Sequence, residues 1–147
     1  MPDVTFKDLS IDATADGDQP ARVAAFWGAM LGQAATAVDE RGPGGLHRLD
    51  PPPGGPAQRI IWLDAVPELP AGKSRVHLDI RTADGDPAPL VAAGATVVRE
   101  PDDDIAWHVL EDPGGVPLCL FGPNPQWPDA PMGPFELVVD CADPDLM

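Results

Sequence analysis

Apolar and polar residues alternate over two short stretches of this chain, and each stretch opens a block of the same design. Phe6 to Asp12 (FKDLSID) reads as a strand, with Leu9 and Ile11 on one side and Asp8, Ser10 and Asp12 on the other. A polar loop follows, and the period then changes. Val23, Phe26, Trp27, Met30 and Leu31 fall at i, i+3, i+4, i+7 and i+8, the apolar stripe of a helix that packs on a sheet. Asp18 is placed to cap that helix, Pro20 suits its first turn, and Gly32 stands where a helix end favours positive φ. Three short strands are expected next, at Ala34 to Asp39, Leu46 to Asp50 and Arg59 to Val66. The Gly- and Pro-rich turns RGPGG and PPPGGPAQ separate them.

The pattern restarts after the linker VPELPAGKS. Val76 to Thr82 (VHLDIRT) alternates, with Leu78 and Ile80 opposed to His77, Asp79 and Arg81. A short helix is expected from Asp86-Pro87 to Gly94. Strands follow at Thr96 to Glu100, Ile105 to Leu110 and Val116 to Phe121, the last two joined by EDPGG. Leu9-Ser10-Ile11-Asp12 parallels Leu78-Asp79-Ile80-Arg81, and the stretch from Leu46 to Pro51 resembles that from Trp107 to Pro113. The repeat implies an α+β fold of two βαβββ modules, residues 1–70 and 71–123. One such module alone leaves a sheet face bare. Two together would carry their helices on the outer face and curve a mixed sheet around a shared cleft.

Residues 124–147 form a tail with one more strand-like run, Phe135 to Pro144, which looks like the start of a further module. A lone strand exposes unpaired backbone groups. It is therefore expected to pair with a sheet edge, either of its own chain or of a second copy in a homodimer.

Composition narrows the functional classes. The 147 residues carry a formal charge of −15 and no basic stripe, which excludes nucleic acid as a partner. The N-terminus lacks a basic start followed by an apolar run, so no signal peptide is read there. No stretch approaches the roughly 20 apolar residues of a membrane span. Cys119 and Cys141 form neither a CxxC pair nor a disulfide framework, so the expectation is a cytoplasmic protein with free thiols. Ser10, Asp12 and His77 could be drawn as a hydrolytic triad, but there is no GxSxG elbow to support it.

The stretch from Pro20 to Trp27 with Leu31-Gly32, the segment KSRVHLDI (residues 73–80), Gly94-Ala95, and the turn at residues 111–115 with Cys119 together resemble the vicinal oxygen chelate superfamily. That is the group of glyoxalases, bleomycin-resistance proteins and extradiol dioxygenases, and the likeness is to its glyoxalase-like branch. It spans about residues 5 to 122. In metal-dependent members, the resemblance implies, ligands come from the first and last strands of each module. Carried over, those positions are Asp8, Trp62 or Asp64, His77, and Cys119. Asp8 and His77 are the candidates for a metal. Trp62 cannot ligate, and Cys119 stands where those relatives carry Glu, so no cofactor is expected, although a divalent metal is the one to test for.

Strand alternation turns Asp8, Ser10, Asp12, Asp64, His77, Asp79 and Arg81 toward the expected cleft, with Trp62, Cys119 and Phe121 as its walls. Carboxylates crowded in a partly desolvated pocket raise one another's pKa. The reading that follows is a glyoxalase/bleomycin-resistance-like protein that binds a small molecule without a full catalytic metal site. The alternative is a divalent-metal-dependent lyase, isomerase or dioxygenase.

Overall fold

Leu9–Thr14 forms β1, Gln19–Leu31 α1, Ala34–Asp39 β2, Leu46–Asp50 β3 and Ile61–Val66 β4. The same order then returns as β5 (Val76–Arg81), α2 (Ala88–Ala92), β6 (Thr96–Arg99), β7 (His108–Glu111) and β8 (Pro117–Phe121), with β9 (Gly133–Val139) added. These elements come from a computed structural model. It describes residues 8–39, 46–51, 53–55, 60–69, 74–126, 128–129 and 133–140. The expected strand start at Phe6, the RGPGG turn, Lys73, Arg59 and Cys141 lie outside the described residues. The chain divides into two units, 1–69 and 70–147, each with its own mixed sheet.

In the first unit the strand order is β1-β4-β3-β2, with β1 parallel to β4 and the other neighbours antiparallel. Ile11, Ala13, Leu49, Ile61 and Leu63 are buried, as are Val23, Phe26 and Trp27 of α1. The helix stripe read from the sequence is thus the face that covers the sheet. Phe26 and Trp27 meet edge to face, with centroids 5.4 Å apart and planes at 85°, a geometry that puts a ring edge against a π face. Gly32 ends the helix at φ 62°, the left-handed conformation expected of it. Asp18 sits at the helix start, but its side chain makes no capping hydrogen bond. It faces Arg22 instead, 3.2 Å from Nε, so an ion pair along the helix replaces the expected cap.

In the second unit the order is β6-β7-β8-β5-β9. Strand β5 lies parallel to β8 and antiparallel to β9, so the tail strand pairs with an edge of its own unit. Leu78 stands opposite Leu137, its counterpart when the tail is read as a third module start. Helix α2 is shorter than expected and buries Leu90 alone. Strand β7 starts at His108 rather than Ile105, because the side chain of Asp102 accepts from the backbone N–H groups of Asp104 and Ile105 and folds that stretch into a turn. The EDPGG turn is held by the buried carboxylate of Asp112, whose Oδ1 accepts from Gly114 N at 2.8 Å and Val116 N at 3.0 Å.

Candidate functional site

The pairing registers settle which positions of the two units correspond. Ser10 lies opposite Trp62 and Asp12 opposite Asp64. In the same way Asp79 lies opposite Cys119 and Arg81 opposite Phe121. Trp62 is therefore the counterpart of Cys119, and Asp64 that of Phe121. The alternative left open by the sequence, Trp62 or Asp64, resolves to the residue that cannot ligate a metal.

In the first unit Asp8, Ser10, Asp12, Trp62 and Asp64 share the sheet face turned away from α1, because residues opposite one another in register, and two apart along a strand, point the same way. They engage one another. The indole Nε1 of Trp62 donates to Asp8 Oδ2 at 3.0 Å, and the Ser10 hydroxyl donates to Asp64 Oδ2. Ser10 thus bonds to Asp64 and not to the Asp12 of the hypothetical triad. Arg48 joins this face, and its position in the register, opposite Trp62, could have signalled it. Its guanidinium lies 5.8 Å from the Trp62 ring centroid, and its Nε stands 2.7 Å from Asp50 Oδ1. His47, adjacent in the sequence, points to the opposite, helix-covered face beside Leu63.

In the second unit His77, Asp79 and Arg81 of β5 share one face with Cys119 and Phe121 of β8. The opposite face carries Leu78, Ile80, Leu118 and Leu120. Asp79 and Arg81, at 7% and 8% exposure, are buried despite their charge, and so is the Cys119 thiol. His77 Nε2 stands 3.4 Å from Asp79 Oδ1. That oxygen is sealed from solvent and accepts no hydrogen bond. Burial pushes the Asp79 carboxyl above its ordinary range; His77 opposes this, while Glu136 and Asp140 add to it. The Cys119 thiol is pushed up to about 11, first by burial and then by the neighbouring Asp79 carboxylate.

Two participants escaped the sequence reading. Trp107 stacks on Phe121, with centroids 5.1 Å apart and planes at 27°, and also touches the Cys119 thiol. The alternation Trp107, Val109, Glu111 places it on this face, and that period, already present in the expected strand from Ile105 to Leu110, is the signal that could have found it. Glu136 comes from β9 and stands opposite Asp79 in the register. Only the pairing of the tail brings it there. His108 faces the other way, with Nε2 2.9 Å from Glu100 Oε2.

Among the described residues, one group of three metal-capable side chains converges: His77, Asp79 and Cys119, with donor atoms within 4.8 Å of one another. The set implied by the superfamily fits this chain poorly. Asp8 is engaged by Trp62, Trp62 offers no lone pair, and Cys119 brings sulfur where hard divalent ions favour oxygen.

The family model described as a glyoxalase-like domain matches residues 12–121. No curated protein matches the chain. Among solved structures, a glyoxalase/bleomycin resistance protein/dioxygenase from Nocardioides is 18% identical with a TM-score of 0.54, over 83% of this chain and 85% of that one. A possible glyoxalase from Bacillus cereus is 18% identical at 0.54, over 81% and 99%. An antibiotic-binding protein from Streptomyces is 22% identical at 0.51, over 84% and 99%. At these identities the likeness is one of fold.

Proposed function

The chain belongs to the glyoxalase-like domain family, and from that premise we propose that it binds a small organic molecule on the site face of its second unit, without assembling the metal centre of the metal-dependent relatives. The observation that carries this reading is the hydrogen bond from Trp62 Nε1 to Asp8 Oδ2. It joins, one to the other, the two first-unit positions from which those relatives supply ligands. A centre that draws on both modules therefore lacks a donor at Trp62 and meets an Asp8 carboxylate with one oxygen already held by the indole.

The second unit offers what a binding site needs: aromatic surface with a few convergent polar groups. The stacked pair of Trp107 and Phe121 supplies a wall for a planar ring. Asp79 and His77 supply an acceptor and a ring nitrogen beside it. The matching ligand class is an aromatic molecule with a basic or hydrogen-bond-donating substituent. The fold likeness to an antibiotic-binding protein supports testing aromatic antibiotics first.

Thermal-shift screening of the full chain against planar aromatic antibiotics and simple aromatic amines tests the reading. A ligand at about 100 times its Kd stabilises the native state by roughly 2.7 kcal/mol, which gives a clear shift in Tm. The shift should fall sharply in Phe121→Ala and Trp107→Ala. A shift that survives both substitutions unchanged, or no shift with any compound, overturns the assignment.

A further inference from the structure

We propose that β9 is a homodimer interface: two copies of the chain join by antiparallel pairing of their β9 strands, with the two-fold axis at Leu137. Strand β9 closes one side of the second unit's sheet, and among the described residues no strand lies beyond it. Its inner side is committed to β5, where Val76, His77, Leu78 and Asp79 stand opposite Val139, Val138, Leu137 and Glu136. The backbone groups on its outer side are those left for a partner.

The observed pairing fixes which groups those are. Asp140 N donates to Arg75 O at 2.7 Å, so Asp140 turns its backbone toward β5. Backbone direction alternates along an antiparallel strand. Glu136 and Val138 therefore face β5 as well, and Leu137 and Val139 turn N–H and C=O outward. Strand β5 agrees: Thr82 N donates to Phe121 O, which turns Leu78 and Ile80 toward β8 and leaves His77 and Asp79 to pair with β9. The two outward residues also carry uncovered side chains. Leu137 is 45% and Val139 51% exposed, and Val76, opposite Val139, is 46% exposed. They continue the face of the buried Leu118 and Leu120, away from Phe121. Outward backbone and exposed apolar surface thus coincide at one edge.

Sheet edges are ordinarily blunted by shortness, irregularity or charge. The opposite edge of this sheet follows that rule: β6 has four residues, a register shift and Arg99. In β9, Pro134 and a register shift blunt only the start, and the pairing is regular from Glu136 to Val139. A second copy fits this stretch because the stretch is self-complementary. With Leu137 on the axis, its N–H and C=O meet those of the partner subunit's Leu137, and the apolar face runs on across the axis. Glu136 then stands opposite the partner subunit's Val138. One register over, with Val138 on the axis, Glu136 would oppose the partner subunit's Asp140, and like charges directly opposite destabilise a pair. Such a contact is isologous and closes on itself, so both exposed edges are used up. Each copy carries a charge of −15, so the two repel at low ionic strength and approach more readily when salt screens them.

The test is sedimentation velocity on the full chain over a wide concentration range, at low and high salt, paired with amide hydrogen exchange. A reversible monomer–dimer equilibrium is expected, tighter at high salt. The Leu137 and Val139 amides should gain protection as the dimer fills, while those of Val138 and Asp140, which face β5, change little. Leu137→Lys puts two like charges at the axis and should weaken association by about tenfold or more. Leu137→Pro removes an outward donor, leaves the ladder to β5 whole, and should do the same. Val91→Lys, at an equally exposed position on α2, should leave association unchanged. The thermal transition of each variant shows whether it folds, and Leu137→Lys with the exchange data decides the matter if Leu137→Pro does not. A chain that stays monomeric at every concentration and salt overturns the proposal. So does a dimer that Leu137→Lys leaves intact, or one that forms without protecting the Leu137 and Val139 amides.

Discussion

Trp62 reaches across from β4 and donates its indole N–H to the carboxylate of Asp8, which immediately precedes β1, at 3.0 Å. The pair is partly buried, and Arg48 lies over the same ring. In the repeat these two residues are the counterparts of Cys119 and His77. The same pair of positions thus holds a closed hydrogen bond in one unit and potential metal donors in the other.

Trp62→Phe keeps a ring for Arg48 but removes the donor. Hydrogen bonds to charged partners contribute about 1.5–3 kcal/mol when well shielded, and partial exposure lowers that here. The expected loss is about 1–2 kcal/mol, read as a lower urea midpoint at unchanged m-value. A double-mutant cycle with Asp8→Ala should return a coupling near 1 kcal/mol. Coupling close to zero would show that the contact does not hold the two strands together.

Cys119 should be a slow thiol in the folded, metal-free protein. A group moved from an ordinary 9.0 to about 11 carries roughly 100-fold less thiolate near neutral pH. Iodoacetamide followed by peptide mass analysis should therefore modify Cys119 at least that much more slowly in the native protein than in denaturant. Equal rates in the two states would contradict the buried position beside Asp79.

The turn after β6 should show an acid-sensitive contribution to stability. The Asp104 backbone N–H, and then the Arg99 guanidinium, hold the Asp102 carboxyl below its ordinary 3.8. A carboxyl whose pKa is lower folded than unfolded stabilises the fold above the unfolded value, and the contribution fades as pH falls through the folded one. Asp102→Ala should thus be less stable than the wild type at neutral pH, with the gap narrowing below pH 3.8. The group is fully exposed, so salt should shrink the Arg99 part of the effect. Denaturant midpoints measured across that pH range decide it, and a gap that stays constant speaks against the ion pair.

Much of the fold is legible because its signals are local. The stripe from Val23 to Leu31 is a 3.6-residue period that only a helix buries on one side, and Gly32 ends it by a conformation other residues resist. Strands β2 and β3 match their expected limits at Ala34–Asp39 and Leu46–Asp50, bounded by turn residues. The late start of β7 was not legible, because one side-chain contact, Asp102 to the following backbone, outweighs the apolar run from Ile105. The site was half legible. Alternation put His77, Asp79 and Arg81 on one side of β5, but nothing local says that Trp107 stacks on Phe121.

By itself the sequence determined the repeat, the two βαβββ modules, and which side of each first strand is polar, since periodicity along a chain is a property of neighbours. The tertiary structure alone decided the register of β1 on β4 and of β5 on β8. A slip of one residue there reverses every side chain, and only pairing between distant segments selects the register. That register makes Trp62 the counterpart of Cys119, gives Asp8 its partner, and brings Glu136 from the tail to stand opposite Asp79.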